Sequence, residues 1–187
     1  MNLVIVSGAE ATGKSAVGKY IAQKLSYTYY AKDVIKEHLF DTESTTTWKY
    51  GWYEKLAKTK FFSGLAVYIE EDQDLVLESN FIGDDKKHLQ KLLHGKTVNI
   101  VEVHCFTQGF VSFRRFVSRN ESRKCHPGHH DRRWYVLVFW NTLISNLKIH
   151  DLHAPVKLSS KTMYVDTTSF EVIDMDKIVK FASVVSK

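Results

Sequence analysis

Eight residues near the start of the chain, Gly8-Ala9-Glu10-Ala11-Thr12-Gly13-Lys14-Ser15, follow the pattern G-x-x-x-x-G-K-S. Gly8 and Gly13 permit a tight turn, and the loop they bound, with Ala11 and Thr12, can aim a row of backbone N–H groups at phosphate oxygens. Lys14 adds a cation that reaches the outer phosphates, and the Ser15 hydroxyl is placed to ligate Mg²⁺. The bland alternative is a glycine-rich turn that happens to precede a helix. The flanks argue against it. Leu3-Val4-Ile5-Val6 is a continuous apolar run, as a strand buried on both faces requires. Val17, Ile21 and Leu25 then recur every four residues, as on a helix lying over that strand. Nucleotide binding is the expectation.

Phosphoryl transfer asks for more: positioning, cations to spread developing charge, and often a carboxylate to take a proton from the attacking hydroxyl. Asp33 and Glu78 are the acids at the expected places. Asp33 reads as a base or acceptor-holding group, or simply as the N-cap of a helix starting at Val34. Glu78 reads as a substrate contact or a holder of Mg²⁺ through water, against a strand-end acid facing solvent. Arg115, Arg119 and Arg123 recur every four residues and share one helix face, opposite the phenylalanines. They form either a solvated basic face or a cationic lid, for which the planar guanidinium is suited. Arg119 and Arg123, nearest the following loop, are the catalytic candidates, with Arg115 a substrate contact.

Positioning these groups takes strands that alternate with helices. After the first helix, Tyr27 to Ala31 predicts a short strand and Val34 to Phe40 a short helix. Thr42 to Thr47 suits a polar loop. From Trp48 a long helix follows, with Tyr53, Leu56, Ala57, Phe61, Leu65, Tyr68 and Ile69 at spacings of three and four. Leu75-Val76-Leu77 is a strand ending at Glu78; Asp84 to Leu93 is a helix, and Val98 to Phe106 the next strand. Gly109 to Asn120 and Arg132 to Leu147 return to helical spacing. Met163-Tyr164-Val165 and the stripe Ile178, Phe181, Ala182, Val185 close the chain. Short apolar strands between helices imply an α/β fold with a parallel sheet covered on both sides. Ligands of such sheets bind beyond the carboxyl ends of the strands. Those ends carry the phosphate loop, Asp33, Glu78 and Asp166-Thr167-Thr168.

The 187 residues suit one domain, 1–187, with no repeat or linker. With 44% hydrophobic and 25% charged residues the chain reads as an ordinary soluble globular protein. No apolar run approaches the roughly 20 residues that span a membrane, and no signal peptide is legible. Cys105 and Cys125 make no disulfide framework, which fits a cytoplasmic location. The net charge of +5 suits a cationic phosphate site, with nucleic acid a further partner class. Cys125, His126, His129 and His130 match no standard zinc spacing, and a mobile loop contributing to a lid is the better reading. His104 and Cys105, adjacent on a strand, should face opposite ways. Trp48, Tyr50, Trp52 and Tyr53 read as core or interface, with ring stacking on a substrate the weaker alternative.

The chain resembles the small P-loop kinases often grouped as AAA-type ATP-binding proteins, related to zeta-toxin and chloramphenicol-phosphotransferase kinases and more distantly to gluconate and shikimate kinases. The resemblance runs to about Phe181. It rests on Leu3 to Ser15, Lys32-Asp33, Leu77-Glu78-Ser79-Asn80-Phe81, Arg119 through the His126-Pro127-Gly128-His129 turn, and Val165 to Thr168. It implies a three-layer P-loop NTPase fold with five parallel strands and a helical lid over about 110–147. It also implies ATP and Mg²⁺, and a hydroxyl-bearing small-molecule acceptor activated by Asp33. Asp166, Thr167 and Thr168 would supply the adenine contact. The chain departs from the group at Cys125, where Arg is usual, and at Glu10, where a small residue is common.

Three functions compete. The first is an ATP-dependent kinase, monomeric or homodimeric. The second is an NTP hydrolase or switch, though the GTPase signatures Asn-Lys-x-Asp and Asp-x-x-Gly are missing from the sequence. The third is an ATP- or nucleic-acid-binding module, whose affinity for nucleic acid would fall steeply with salt. A polynucleotide 5′-hydroxyl kinase lies between the first and third.

Overall fold

The computed structural model describes residues 1–43, 50–121, 126–129, 154–159 and 161–183. Five strands form one parallel sheet: β1 (Asn2–Gly8), β2 (Thr28–Ala31), β3 (Leu75–Glu78), β4 (Asn99–Phe106) and β5 (Thr162–Asp166), in the order β2-β3-β1-β4-β5. The two strands read as apolar, β1 and β3, are inner ones, as is β4. Leu3 to Val6 and Leu75 to Leu77 are fully buried, because helices cover both of their faces.

Alternation along β1 separates two cores. Val4 and Val6 point to one face, packing with Val17 and Ile21 of α1 (Lys14–Leu25) and Ile178 and Ala182 of α6 (Met175–Ser183). Leu3 and Ile5 point to the other, with Phe61, Leu65 and Ile69 of α3 (Tyr50–Glu70) and Leu89 of α4 (Asp85–Leu93). The layers are helix, sheet, helix. α2 (Lys32–Thr42) stands at the edge and packs on α3 through Leu39, Tyr53 and Ala57. α5 (Gly109–Glu121) follows β4. His104 meets Tyr164 while Cys105 enters the α1 core, so the two do face opposite ways.

One expectation fails. α2 begins at Lys32, not Val34, and its N-cap is Ala31, with no side-chain capping bond. Asp33 therefore lies in the first helical turn and caps nothing. Extended Ala31 ends β2 and enters α2 directly, leaving no loop residue to serve as an Asx cap. In the aromatic cluster, Tyr53 is core and Trp52 is half exposed. Residues 44–47 of the polar loop, Trp48, the Tyr50 side chain, Arg123, Cys125, His130, the helix expected over 132–147 and Val185 lie outside the described residues.

Candidate active site

The register brings the carboxyl ends of the strands into one row, with Gly8 beside Cys105, Ala31 beside Glu78, and Phe106 beside Asp166. At the centre of that row the phosphate loop turns from β1 into α1. Gly8 has φ 138° and passes so close to β4 that a Cβ there would lie 2.1 Å from the Cys105 carbonyl oxygen. Ala11 takes a left-handed φ of 56°, and Gly13 of 80°, before α1 starts at Lys14. The Gly13 carbonyl accepts from the N–H groups of Ala16 and Val17, which starts the helix. The loop is braced from inside: Thr12 Oγ1 and Lys14 Nζ both donate to the Ala9 carbonyl, at 2.7 and 2.6 Å. A helix N-terminus behind such a turn favours an anion.

Ser15, in the first turn of α1, faces the end of β3. Its Oγ donates to Glu78 Oε1 at 3.3 Å, and Tyr29 Oη donates to Glu78 Oε2. Glu78 is buried rather than facing solvent, and both of its oxygens have hydroxyl partners. Tyr29 was not anticipated as a site residue. Its signal was available, since a strand residue two before Ala31 must share a sheet face with the strand-end acid next door.

Asp33 is exposed at the start of α2 and stands near Glu10 of the loop. Glu10 is half-buried, so it neither faces solvent freely nor stands alone. Burial raises its pKa, Lys14 and Lys36 act to lower it, and Asp33 and Glu54 raise it again. Lys36 is itself buried and pairs with Glu54 of α3, clamping α2 to the long helix on this side. Asp85 completes the neighbourhood, held by Lys58 at 2.7 Å and Lys32 at 3.9 Å.

On the opposite flank, a cavity of about 880 Å³ opens between the loop and α5, lined by Ala11, Gly13, Arg115, Arg119 and Thr168 among others. Arg115 does not project as a free basic face. It folds back so that Nη2 donates to the carbonyls of Thr167 at 2.6 Å and Thr168 at 3.1 Å, while the guanidinium lies 5.0 Å above the Phe170 ring. Its Nη1 is buried with no acceptor among the described residues. Arg119 is exposed along the same cavity. Thr167 is fully buried, and its Oγ1 donates to the carbonyls of Thr12 at 2.6 Å and Phe106 at 2.9 Å. Asp166 Oδ1 accepts from the Thr168 N–H at 2.8 Å, which shapes the turn after β5.

The His-Pro-Gly-His segment forms a 3₁₀ turn, Pro127–His129, docked on the far end of α2. His126 Nε2 lies 3.2 Å from Asp41, its ring meets Phe40 edge-on, and its Nδ1 accepts from the Gly128 N–H. No group of three or more His, Cys, Asp or Glu able to hold a metal occurs among the described residues. No helix among them is long and apolar enough to cross a membrane. The most deeply buried acid among the described residues was not anticipated. Glu102, on β4 below the loop, accepts from Ser7 Oγ at 2.5 Å and from the N–H groups of Val156 at 2.7 Å and Lys157 at 3.0 Å.

No protein-family profile matches the chain, and no curated protein does. Solved structures do. A candidate kinase from Chloroflexus aurantiacus J-10-fl is 28% identical over 100% of this chain and 98% of its own, with a TM-score of 0.86. A shikimate kinase from Acinetobacter baumannii, solved with shikimate, is 16% identical over 99% of this chain and 94% of its own, TM-score 0.57. A gluconokinase from Sinorhizobium meliloti is 16% identical over 98% and 90%, TM-score 0.50. The fold is that of the small P-loop kinases.

Proposed function

We propose that this chain is a kinase that uses ATP and Mg²⁺ to phosphorylate a hydroxyl of a small-molecule acceptor. One observation carries the reading: Ser15 and Glu78 meet at 3.3 Å beside a phosphate loop that holds Lys14 at the start of a helix. A hydroxyl and a carboxylate are hard oxygen donors, the kind Mg²⁺ selects, so the residues fit the metal. When bound, Mg²⁺ neutralises charge on the β- and γ-phosphate oxygens.

The chain's own groups divide the remaining work. Lys14 and the N-terminus of α1 hold phosphate charge. Asp33, exposed beside the loop, is the acid placed to take the acceptor's proton and hold its hydroxyl. Arg119, with Arg123 four residues further along the sequence, spreads charge on the transferred group from the α5 side. Arg115, Phe170 and the Asp166-Thr167-Thr168 turn form the wall for the base. The kinase names of the fold relatives support a small acceptor. The likeness to the zeta-toxin and chloramphenicol-phosphotransferase branch rests on the sequence motifs.

The test is ADP release across a panel of acceptors: nucleosides, sugars, polyols, sugar acids, aminoglycosides, chloramphenicol-like drugs and RNA 5′ ends. At least one class should raise release above background, and Lys14→Ala should abolish both release and the thermal stabilisation by Mg·ATP. Asp33→Asn should keep ATP binding and lose transfer. Flat release across the panel with intact nucleotide binding favours the ATP-binding or ATPase alternative.

A further inference from the structure

The hydroxyl of Tyr29 has no part in the reading above, yet it is committed to the acid that faces Ser15. We propose that Tyr29 is a positioning residue for the divalent cation: it occupies Glu78 Oε2 and so presents Oε1 to Ser15 and the metal. This inference rests on the reading of Ser15 and Glu78 as the metal-holding pair.

Three features of the fold build the contact. Tyr29 and Glu78 lie on adjacent parallel strands, with Tyr29 in register with Val76 and Ala31 with Glu78. Side chains two apart on a strand share a face, so Val76, Glu78 and Tyr29 all lie on the α1 side. The ring must then run along the sheet towards the strand ends to reach the carboxylate. Gly18 of α1 leaves it that path. A Cβ at position 18 would stand 3.1 Å from Tyr29 Cε2 and 3.7 Å from Val6 Cγ2, so even alanine there requires the ring or the helix to give slightly. Lys19, next on α1, places its ammonium 5.8 Å above the ring.

The two oxygens of the carboxylate are divided: Tyr29 Oη donates to Oε2 and Ser15 Oγ to Oε1. A carboxylate held at one oxygen is biased towards keeping the other beside Ser15. Partners of this kind, one step removed from the ion, typically change metal affinity by about 10–100-fold when removed.

The experiment is Mn²⁺ binding to the ADP-loaded protein, followed by the loss of free-ion EPR signal, alongside ADP binding in EDTA. Tyr29→Phe keeps the ring and deletes only the hydroxyl. It should weaken Mn²⁺ by about tenfold and leave metal-free ADP binding unchanged. Gly18→Ala, which retains the hydroxyl but crowds the ring, should shift Mn²⁺ affinity the same way. Glu78→Gln should weaken Mn²⁺ too, and adding Tyr29→Phe to it should cost nothing further, because Tyr29 acts only through that carboxylate. Unchanged Mn²⁺ affinity in Tyr29→Phe, or full additivity with Glu78→Gln, overturns the proposal while leaving the kinase reading intact. Failure of the wild-type protein to bind ADP would overturn the phosphate-loop reading and this one with it.

Discussion

Thr167 Oγ1 donates to the Thr12 carbonyl at 2.6 Å across 155 residues of sequence, tying the turn after β5 to the phosphate loop. The same hydroxyl reaches the Phe106 carbonyl at 2.9 Å, and the Thr167 backbone N–H bonds that carbonyl at 2.8 Å. One fully buried side chain thus joins the turn from β1 into α1, the end of β4 and the turn after β5. The two halves of the proposed nucleotide site are fixed to one another within the fold itself.

Thr167→Val keeps the shape and removes the donor. The Thr12 carbonyl is then left without this partner in a buried place, which costs about 1–3 kcal/mol. Urea denaturation should show that loss as a lower midpoint at unchanged slope. ADP affinity should fall as well, since the loop loses its brace, whereas Thr168→Val, at an outer position of the turn, should disturb stability less.

Gly13 separates two effects that usually travel together. Its φ of 80° is left-handed, and a Cβ there would lie 2.2 Å from Phe170 Cζ. Gly13→Ala therefore meets a backbone cost of about 1–2 kcal/mol and a collision with the ring. Adding Phe170→Ala relieves the collision alone. The double variant should recover part of the lost stability relative to Phe170→Ala, with the backbone part remaining. Complete recovery in thermal unfolding would mean that the backbone conformation is not maintained.

The inner strands and α1 were legible because their burial is two-sided and their periodicity uninterrupted: Leu3 to Val6, Leu75 to Leu77 and Val17, Ile21, Leu25 each state their environment. The turn from Gly8 to Ser15 was legible for a different reason, since its glycine pattern is local in sequence. What could not be read was pairing across the sheet. Tyr29 with Glu78, Thr167 with Thr12 and Glu102 with Ser7 join residues from 49 to 155 positions apart. Each requires knowing which strands are neighbours, and hydrophobic pattern is silent on strand order. Arg115 shows the limit of helix-face reasoning. Its spacing placed it with Arg119, but the turn after β5 offers it two carbonyls and a ring, and it takes them.

Glu102 provides the sharpest test of a buried hydrogen-bond acceptor in the scaffold. It is fully buried and accepts three hydrogen bonds, from Ser7, Val156 and Lys157, while Ser7 Oγ also lies 2.8 Å from His104 Nδ1. Removing the side-chain acceptor leaves the Val156 and Lys157 N–H groups without their partner, so Glu102→Ala should cost about 1–3 kcal/mol for each donor left unpaired. Glu102→Gln retains an acceptor and should cost less. Hydrogen exchange at the Val156 and Lys157 amides should accelerate in both, more in the alanine variant; slow exchange at both would mean that the segment is held by other contacts.

Glu10 gives a pH dependence whose sign follows from its surroundings. Burial, the largest influence, raises its pKa above the ordinary value of 4.5, with Lys14 opposing and Asp33 adding to the rise. The folded protein therefore binds this proton more tightly than the unfolded chain does. Between the unfolded and folded pKa values the native state carries the extra proton, and stability contributed by this group falls as pH rises through that window. At neutral pH Glu10 is a net cost to the fold. Glu10→Gln should accordingly be more stable than the parent at pH 7, with the advantage shrinking as pH drops towards 4.5 and the parent's own acid becomes neutral. It should also bind ATP more tightly at pH 7, because the phosphates no longer face a carboxylate at the loop's apex. Urea titrations from about pH 4.5 to 8 measure the first effect and calorimetric ATP titrations the second. A variant less stable than the parent at pH 7 would show that attraction to Lys14 and Lys36 outweighs burial, and would reverse the sign of the whole dependence.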